Sequence, residues 1–272
     1  MEHRSVEEQI TGLRAAVAVC ADHVAAAGLD AAVPTCPRWT TRTLLAHQGM
    51  VHRWAAANLR GEESHPPDWN AEGRRVADPV AWLQEGAEEL IATIRSVPDD
   101  VAAMTFLKDA PAARLFWARR QCHETTIHAV DALAARLGRF PTPEDTTITD
   151  AVALDGIDEV LTGFIPRGTS RFEGVDPVRV AIQPTGSHRA WTVLIQGGAA
   201  TTSRKELATA ETAATVGASV PARTQGPVAE ARLEGSPVAL YLTLWNRTTD
   251  DVVTDPAGFL PMWRDRVRVR WS

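Results

Sequence analysis

The sequence predicts an α+β fold: a helical bundle over residues 1–166, then a small α+β domain over residues 167–272. Two observations carry this. Up to about Phe164 the apolar residues recur three and four apart, the period of helices that bury one face. After Pro166 the texture changes to alternating and β-branched runs, the period of strands. A chain of 272 residues also suits two modest domains better than one large one.

Val6, Ile10, Leu13, Val17, Cys20 and Val24 define the first helical stripe, which Gly28 closes. The segment Cys36-Pro37-Arg38-Trp39-Thr40 is a loop leading to a threonine N-cap, and a second helix should run from about Thr41 to about Leu59. Pro66, Pro67, Asn70 and Gly73 make the stretch from Gly61 to Ala77 read as a long exposed connection. Asp78-Pro79 begins a third helix that Pro98 ends, and a fourth runs from Pro111 to Leu137 with Gly138 as its C-cap. Four helices of this length make a bundle. A shorter helix from Asp150 to about Phe164 follows.

Beyond Pro166, Val178–Ile182 and Trp191–Ile195 form a hairpin around Pro184-Thr185-Gly186-Ser187. Ala229–Leu233 reads as a third strand, and Ser236-Pro237 caps a helix carrying Leu240, Tyr241, Leu244 and Trp245. Val267–Trp271 is a last strand or a frayed tail. Ala199–Ala218, rich in Ala and Thr, comes nearest to low complexity.

Composition narrows the function. The chain is 44% hydrophobic and 23% charged, and no run approaches the ~18 uninterrupted apolar residues of a membrane span. Its charged first residues do not resemble a secretion signal, so a cytoplasmic protein is expected. A net charge of −6 repels polyanions, which argues against a nucleic-acid partner. Three cysteines, Cys20, Cys36 and Cys122, with no paired spacing, indicate neither a disulfide framework nor an all-cysteine zinc site. No heptad seam points to an oligomeric state.

The polar run Cys122-His123-Glu124-Thr125-Thr126-Ile127-His128 is out of place in the middle of a bundle helix. Glu124 and His128 are four residues apart and share a helical face, a geometry that suits two ligands of one ion. His123 lies about 140° from His128 and diverges from it. The HExxH pattern is missed, because residue 127 is Ile. A third ligand must come from another helix, and His47, with core-facing neighbours Leu44 and Leu45, is the best candidate. His52, again about 140° around its helix, should not join it. The same spacing also fits a satisfied core histidine and an ordinary i,i+4 ion pair, and leaves both readings open.

Taken with Leu44-Leu45-Ala46-His47, the run His123 to Asp131 and the late segment Leu240-Tyr241-Leu242-Thr243-Leu244-Trp245-Asn246-Arg247, the Cys36–Thr40 segment resembles the mycothiol-dependent maleylpyruvate isomerase family, in the same order along the chain. The resemblance implies a DinB-like four-helix N-terminal domain and a small α+β C-terminal domain. It also implies that His47, Glu124 and His128 hold a divalent metal, usually zinc, and that Arg247 reaches toward the site as an anchor for a substrate or thiol carboxylate. Asn246 stands where the family commonly has glycine, and Asn tolerates the same left-handed turn.

The implied partners are a small electrophilic substrate and mycothiol, the cysteinyl sugar thiol of actinobacteria. Two neutral imidazoles and one carboxylate leave a divalent ion with one positive charge, which favours an anionic fourth ligand. A thiol coordinated to such an ion is deprotonated. Its addition to a cis double bond conjugated to a carbonyl gives a single bond that rotates before the thiol leaves, which is isomerisation. With an epoxide or a leaving group the outcome is a stable thioether. A DinB-type metal hydrolase and a non-catalytic metal or small-molecule binder are the alternatives. Arg38, Arg42, Arg53 and Arg119 are further candidates for binding a carboxylate, each also readable as a solvated charge.

Overall fold

The computed structural model describes residues 3–167, 171–207, 228–255 and 257–267. It divides into two compact units. One comprises the chain up to Phe106 with Ala110–Thr147, and the other Leu107–Asp109 with the chain from Ile148 onward.

The first unit is built on α1 (Val6–Ala27), α2 (Thr41–Arg60), α3 (Pro66–Arg75), α4 (Pro79–Ser96) and α5 (Ala113–Leu137). Local chemistry sets the ends. Ser5 accepts from the Glu8 backbone while the Glu8 carboxylate accepts from the Ser5 backbone, a reciprocal cap at the start of α1. Thr40 caps α2 and Asp78 caps α4, where Pro79 fills a first-turn position that needs no N–H. Gly61 and Gly138 close α2 and α5 at φ of 68° and 67°, a left-handed conformation that glycine adopts without strain.

α1 packs along α5, and α2 lies against both α4 and α5. The stripe Ile10, Leu13, Val17, Cys20 and Val24 is buried as its spacing requires. α1 is by length and composition apolar enough to cross a membrane, but that stripe lies inside the protein. α5 is the unusual helix, because every residue from Phe116 to Ala135 is buried, polar ones included.

α3 occupies the stretch that the sequence suggested was an exposed connection. Pro66 and Pro67 look like breakers, yet at the first two positions of a helix they remove no internal hydrogen bond. Its single buried residue is Gly73, where a side chain would run into Trp82 and Ala46.

The second unit begins with α6 (Asp150–Asp158), which continues into π-helical turns over Glu159–Phe164. α6 packs against α7 (Pro237–Leu244) and belongs to the unit that takes in the chain from Ile148 onward. Periodicity reports that α6 is a helix but not which neighbour covers its face. Strands β1 (Val178–Pro184), β2 (Arg189–Gln196), β3 (Ala199–Glu206) and β4 (Ala229–Gly235) form one sheet in the order β3-β2-β1-β4. The hairpin is β1–β2, with Val178 opposite Ile195, and β4 adds in parallel to the other edge of β1.

β3 was hidden in the Ala/Thr-rich stretch, which lacks the large β-branched residues that mark a strand, and α8 (Leu260–Arg266) was not anticipated. The rest of that stretch, from residue 208, and the tail 268–271 lie outside the described residues. Asp158 ties the helix to the sheet by accepting from Trp191 Nε1 at 3.0 Å and from both Nε and Nη2 of Arg204. Asn246 takes φ 57°, the left-handed turn expected of it.

Gly156 of α6 faces the Tyr241 ring so closely that a methyl group would overlap it. Gly156→Ala should therefore destabilise this unit by about 1–3 kcal/mol, read as a lower urea midpoint, with no loss in the bundle's far-ultraviolet signal. An unchanged midpoint would show that α6 and α7 pack less tightly than this.

Candidate metal centre

Two helices and one loop build the polar centre of the bundle. α2 supplies His47, and α5 supplies Glu124 and His128 from successive turns of one face. Their ligand atoms all lie within 4.8 Å of one another, and the three side chains are buried. His128 Nε2 is 3.3 Å and His47 Nε2 is 3.8 Å from the same oxygen, Glu124 Oε1. The loop ahead of α2 brings Trp39, whose ring lies 4.9 Å from that of His47 and 5.7 Å from that of His128.

Glu124 and His128 are each held through their other polar atom. Arg120, one turn before Glu124 and itself fully buried, donates from Nη2 to Glu124 Oε2 at 2.8 Å. Asp131 lies one turn past His128, and its Oδ2 is 2.8 Å from His128 Nδ1. Thr35 donates to Asp131 Oδ1 at 2.5 Å, and the Cys36 thiol reaches Oδ2 at 3.6 Å.

The electrostatics follow from these contacts. Burial alone would raise the Glu124 carboxyl, but the Arg120 charge and the two imidazoles beside it hold it well below the usual carboxylate range. Burial also lowers His47, which stays neutral despite its contact with Glu124. For His128 burial is outweighed by Asp131 and Glu124, and its imidazole is pushed up to about 9.

The donor set fits a divalent ion. A tetrahedral zinc with bonds of about 2.0–2.1 Å puts its ligands about 3.4 Å apart; the two imidazole nitrogens lie 3.3 and 3.8 Å from Glu124 Oε1, and all three ligand atoms fall within 4.8 Å of one another. Three protein ligands would leave one position open, the arrangement of catalytic rather than structural sites.

The other candidates fall elsewhere. His52 Nε2 lies 2.9 Å from both Gln48 Nε2 and Thr125 Oγ1, and burial pushes its imidazole down to about 3. His123 is fully buried on another side of α5. Burial raises the Cys20 thiol to about 12, which makes it inert. Cys122 is buried too. Arg53 stacks on Trp82 and donates to the Gly49 and Trp82 carbonyls, while Arg42 donates to the Val76 carbonyl, so both brace the bundle. Arg119 is buried and Arg38 exposed. Arg247 is half-buried and donates from Nη1 to the Trp245 carbonyl at 3.0 Å. Trp39, Arg120 and Asp131 had no assigned role from sequence, since what each touches becomes visible only when the helices and loop are folded together.

Residues 10–133 match the family model of the mycothiol maleylpyruvate isomerase N-terminal domain. Two crystal structures are similar over the chain. That of the mycothiol-dependent maleylpyruvate isomerase has TM-score 0.58 and 18% identity, and that of its histidine-to-alanine mutant has TM-score 0.59 and 17% identity. Each comparison covers 95% of this chain and 97% of the other, and at such identity it shows a shared α+β fold. No curated protein sequence matches the chain.

A pH dependence follows. His47 is neutral and Glu124 ionised at neutral pH, so of the three only His128 must lose a proton to bind an ion. Zinc affinity, measured by chelator competition, should rise about tenfold per pH unit from pH 7 and level off above about 9. Calorimetry in buffers of different ionisation enthalpy should report about one proton released per ion. An affinity indifferent to pH would contradict the protonated His128.

Proposed function

We propose, from the match of residues 10–133 to the mycothiol maleylpyruvate isomerase N-terminal domain, that the chain is a member of that family and a metal-dependent enzyme using a low-molecular-weight thiol, mycothiol. Its substrate in this reading is a small electrophile. The reaction is cis–trans isomerisation of a double bond conjugated to a carbonyl, or a transfer that leaves the thiol on the product as a thioether. The convergence of His47, Glu124 and His128 from two helices onto one point is the observation that carries it.

These three residues would hold the ion, zinc or another divalent metal. When bound, the ion supplies the positive charge that turns a coordinating thiol into its thiolate, the form that attacks carbon. The protein's own part is orientation. Arg120 engages Glu124 Oε2 and leaves Oε1 to the centre. Trp39 lies against both ligand imidazoles and restricts their swing. None of Cys20, Cys36 and Cys122 is assigned the nucleophile's role, and the sulfur is taken to come from the small thiol. Arg247 is assigned the carboxylate of substrate or thiol, for which its planar fork is suited. A cytoplasm that keeps thiols reduced is the compartment this reading expects.

The test uses maleylpyruvate with mycothiol as the probe pair, followed by epoxide and haloalkane electrophiles. The zinc-loaded chain should turn over a probe only when mycothiol is present, and His47→Ala should lose both the metal and at least about a hundredfold in rate. Turnover without thiol would favour the hydrolase, and full activity in a metal-free chain would remove both metal mechanisms.

Arg247→Ala should keep the metal but raise KM for a carboxylate-bearing substrate by about 10–100-fold, the worth of one charge-assisted hydrogen bond. An unchanged KM would return Arg247 to a structural role.

A further inference from the structure

The Asp131 carboxylate is fully buried and held at both oxygens. Oδ1 accepts from Thr35 Oγ1 at 2.5 Å, and Oδ2 faces His128 Nδ1 at 2.8 Å with the Cys36 thiol at 3.6 Å. A neutral imidazole has one proton and two nitrogens. A carboxylate oxygen set 2.8 Å from Nδ1 is placed to accept a ring proton there. Nε2, the nitrogen that faces Glu124 Oε1 and lies among the converging atoms, is the ring atom left to face an ion.

We infer that Asp131 is the positioning residue of the metal centre: it selects the tautomer of His128 that can bind an ion and, anchored by Thr35 and Cys36, fixes the direction of that ring. The inference rests on the metal reading above and adds to it a division of labour within the loop before α2. Trp39 packs against the histidine rings, while Thr35 and Cys36 grip the carboxylate behind one of them. The Cys-Pro-Arg-Trp-Thr segment is thereby a clamp and not a source of ligands. A partner of this kind also raises the ligand's basicity, and its loss typically weakens metal affinity 10–100-fold.

The experiment measures zinc affinity by chelator competition and the visible spectrum of the cobalt-loaded chain, alongside the melting temperature of each metal-free variant. Asp131→Leu should weaken zinc binding about 10–100-fold and shift the cobalt bands. Asp131→Asn, whose carbonyl still accepts from Nδ1, should lose less. Thr35→Val should weaken zinc several-fold at an unchanged metal-free melting temperature, and it carries the test should Asp131→Leu fail to fold. Zinc affinity within twofold of the native chain in Thr35→Val, or in a folded Asp131→Leu, overturns the inference. If His128→Ala abolishes binding while those variants bind normally, only the positioning role falls. If the native chain binds no zinc, the metal reading falls and takes this inference with it.

Discussion

The ionised carboxylate of Glu124 is the constraint around which the interior of the bundle is arranged. Moving such a group out of water costs several kcal/mol, and a lone buried glutamate would take up a proton instead. Here the Arg120 guanidinium and two imidazoles keep it charged. Arg120 is as deeply buried as the carboxylate, so removing either leaves the other with its nearest opposite charge gone, a loss of about 3–5 kcal/mol in comparable pairs. An apolar core would avoid that cost, and its presence in the longest helix is what makes a functional reading worth more than a packing one.

Arg120, Glu124, His128 and Asp131 follow one another along α5 at steps of four, four and three residues, each touching the next. The row alternates in sign, and Thr35 and Cys36 close its far end. Beside it Gln48, His52 and Thr125 form a second group joined by hydrogen bonds of 2.9–3.0 Å, in which burial keeps His52 neutral. The helix pair α2–α5 thus carries charge along one line and neutral hydrogen bonds along the next. The two histidines of α2 differ in role because five residues turn a helix by about 140°.

That turn explains what could be read from sequence. Separating His47 from His52 and His123 from His128 needed only helix geometry, preferring His47 drew on its apolar neighbours and on the family resemblance, and the structure does bring His47, Glu124 and His128 together. The four long helices and the β1–β2 hairpin were legible because each buries a face with the right period. α3 was not, since two prolines announce a break whether they stand before a helix or at its start, and β3 lacked bulky residues. Arg120 and Asp131 occupy helical positions where a charge ordinarily meets solvent. Only the packed structure reveals that Asp131 faces Thr35, nearly a hundred residues earlier in the chain.

The same charges bear on whether the proposed centre favours sulfur or water. Glu124 and Asp131 bring two negative charges, Arg120 one positive, and a divalent ion would leave a surplus of about one positive charge. Such a centre is more damped than one with three neutral ligands. Half-ionising a thiol of pKa about 8.5 at pH 7 takes a shift of about 1.5 units, or about 2 kcal/mol. Water on a zinc ion alone already titrates near 9, so reaching 7 needs about two units more, or about 3 kcal/mol. A thiol coordinated to such an ion would be ionised outright, whereas bound water would be only about half ionised at pH 7, and two histidines with one glutamate serve zinc hydrolases as well. In the proposed reading sulfur is thus the more fully ionised of the two nucleophiles the centre would bind.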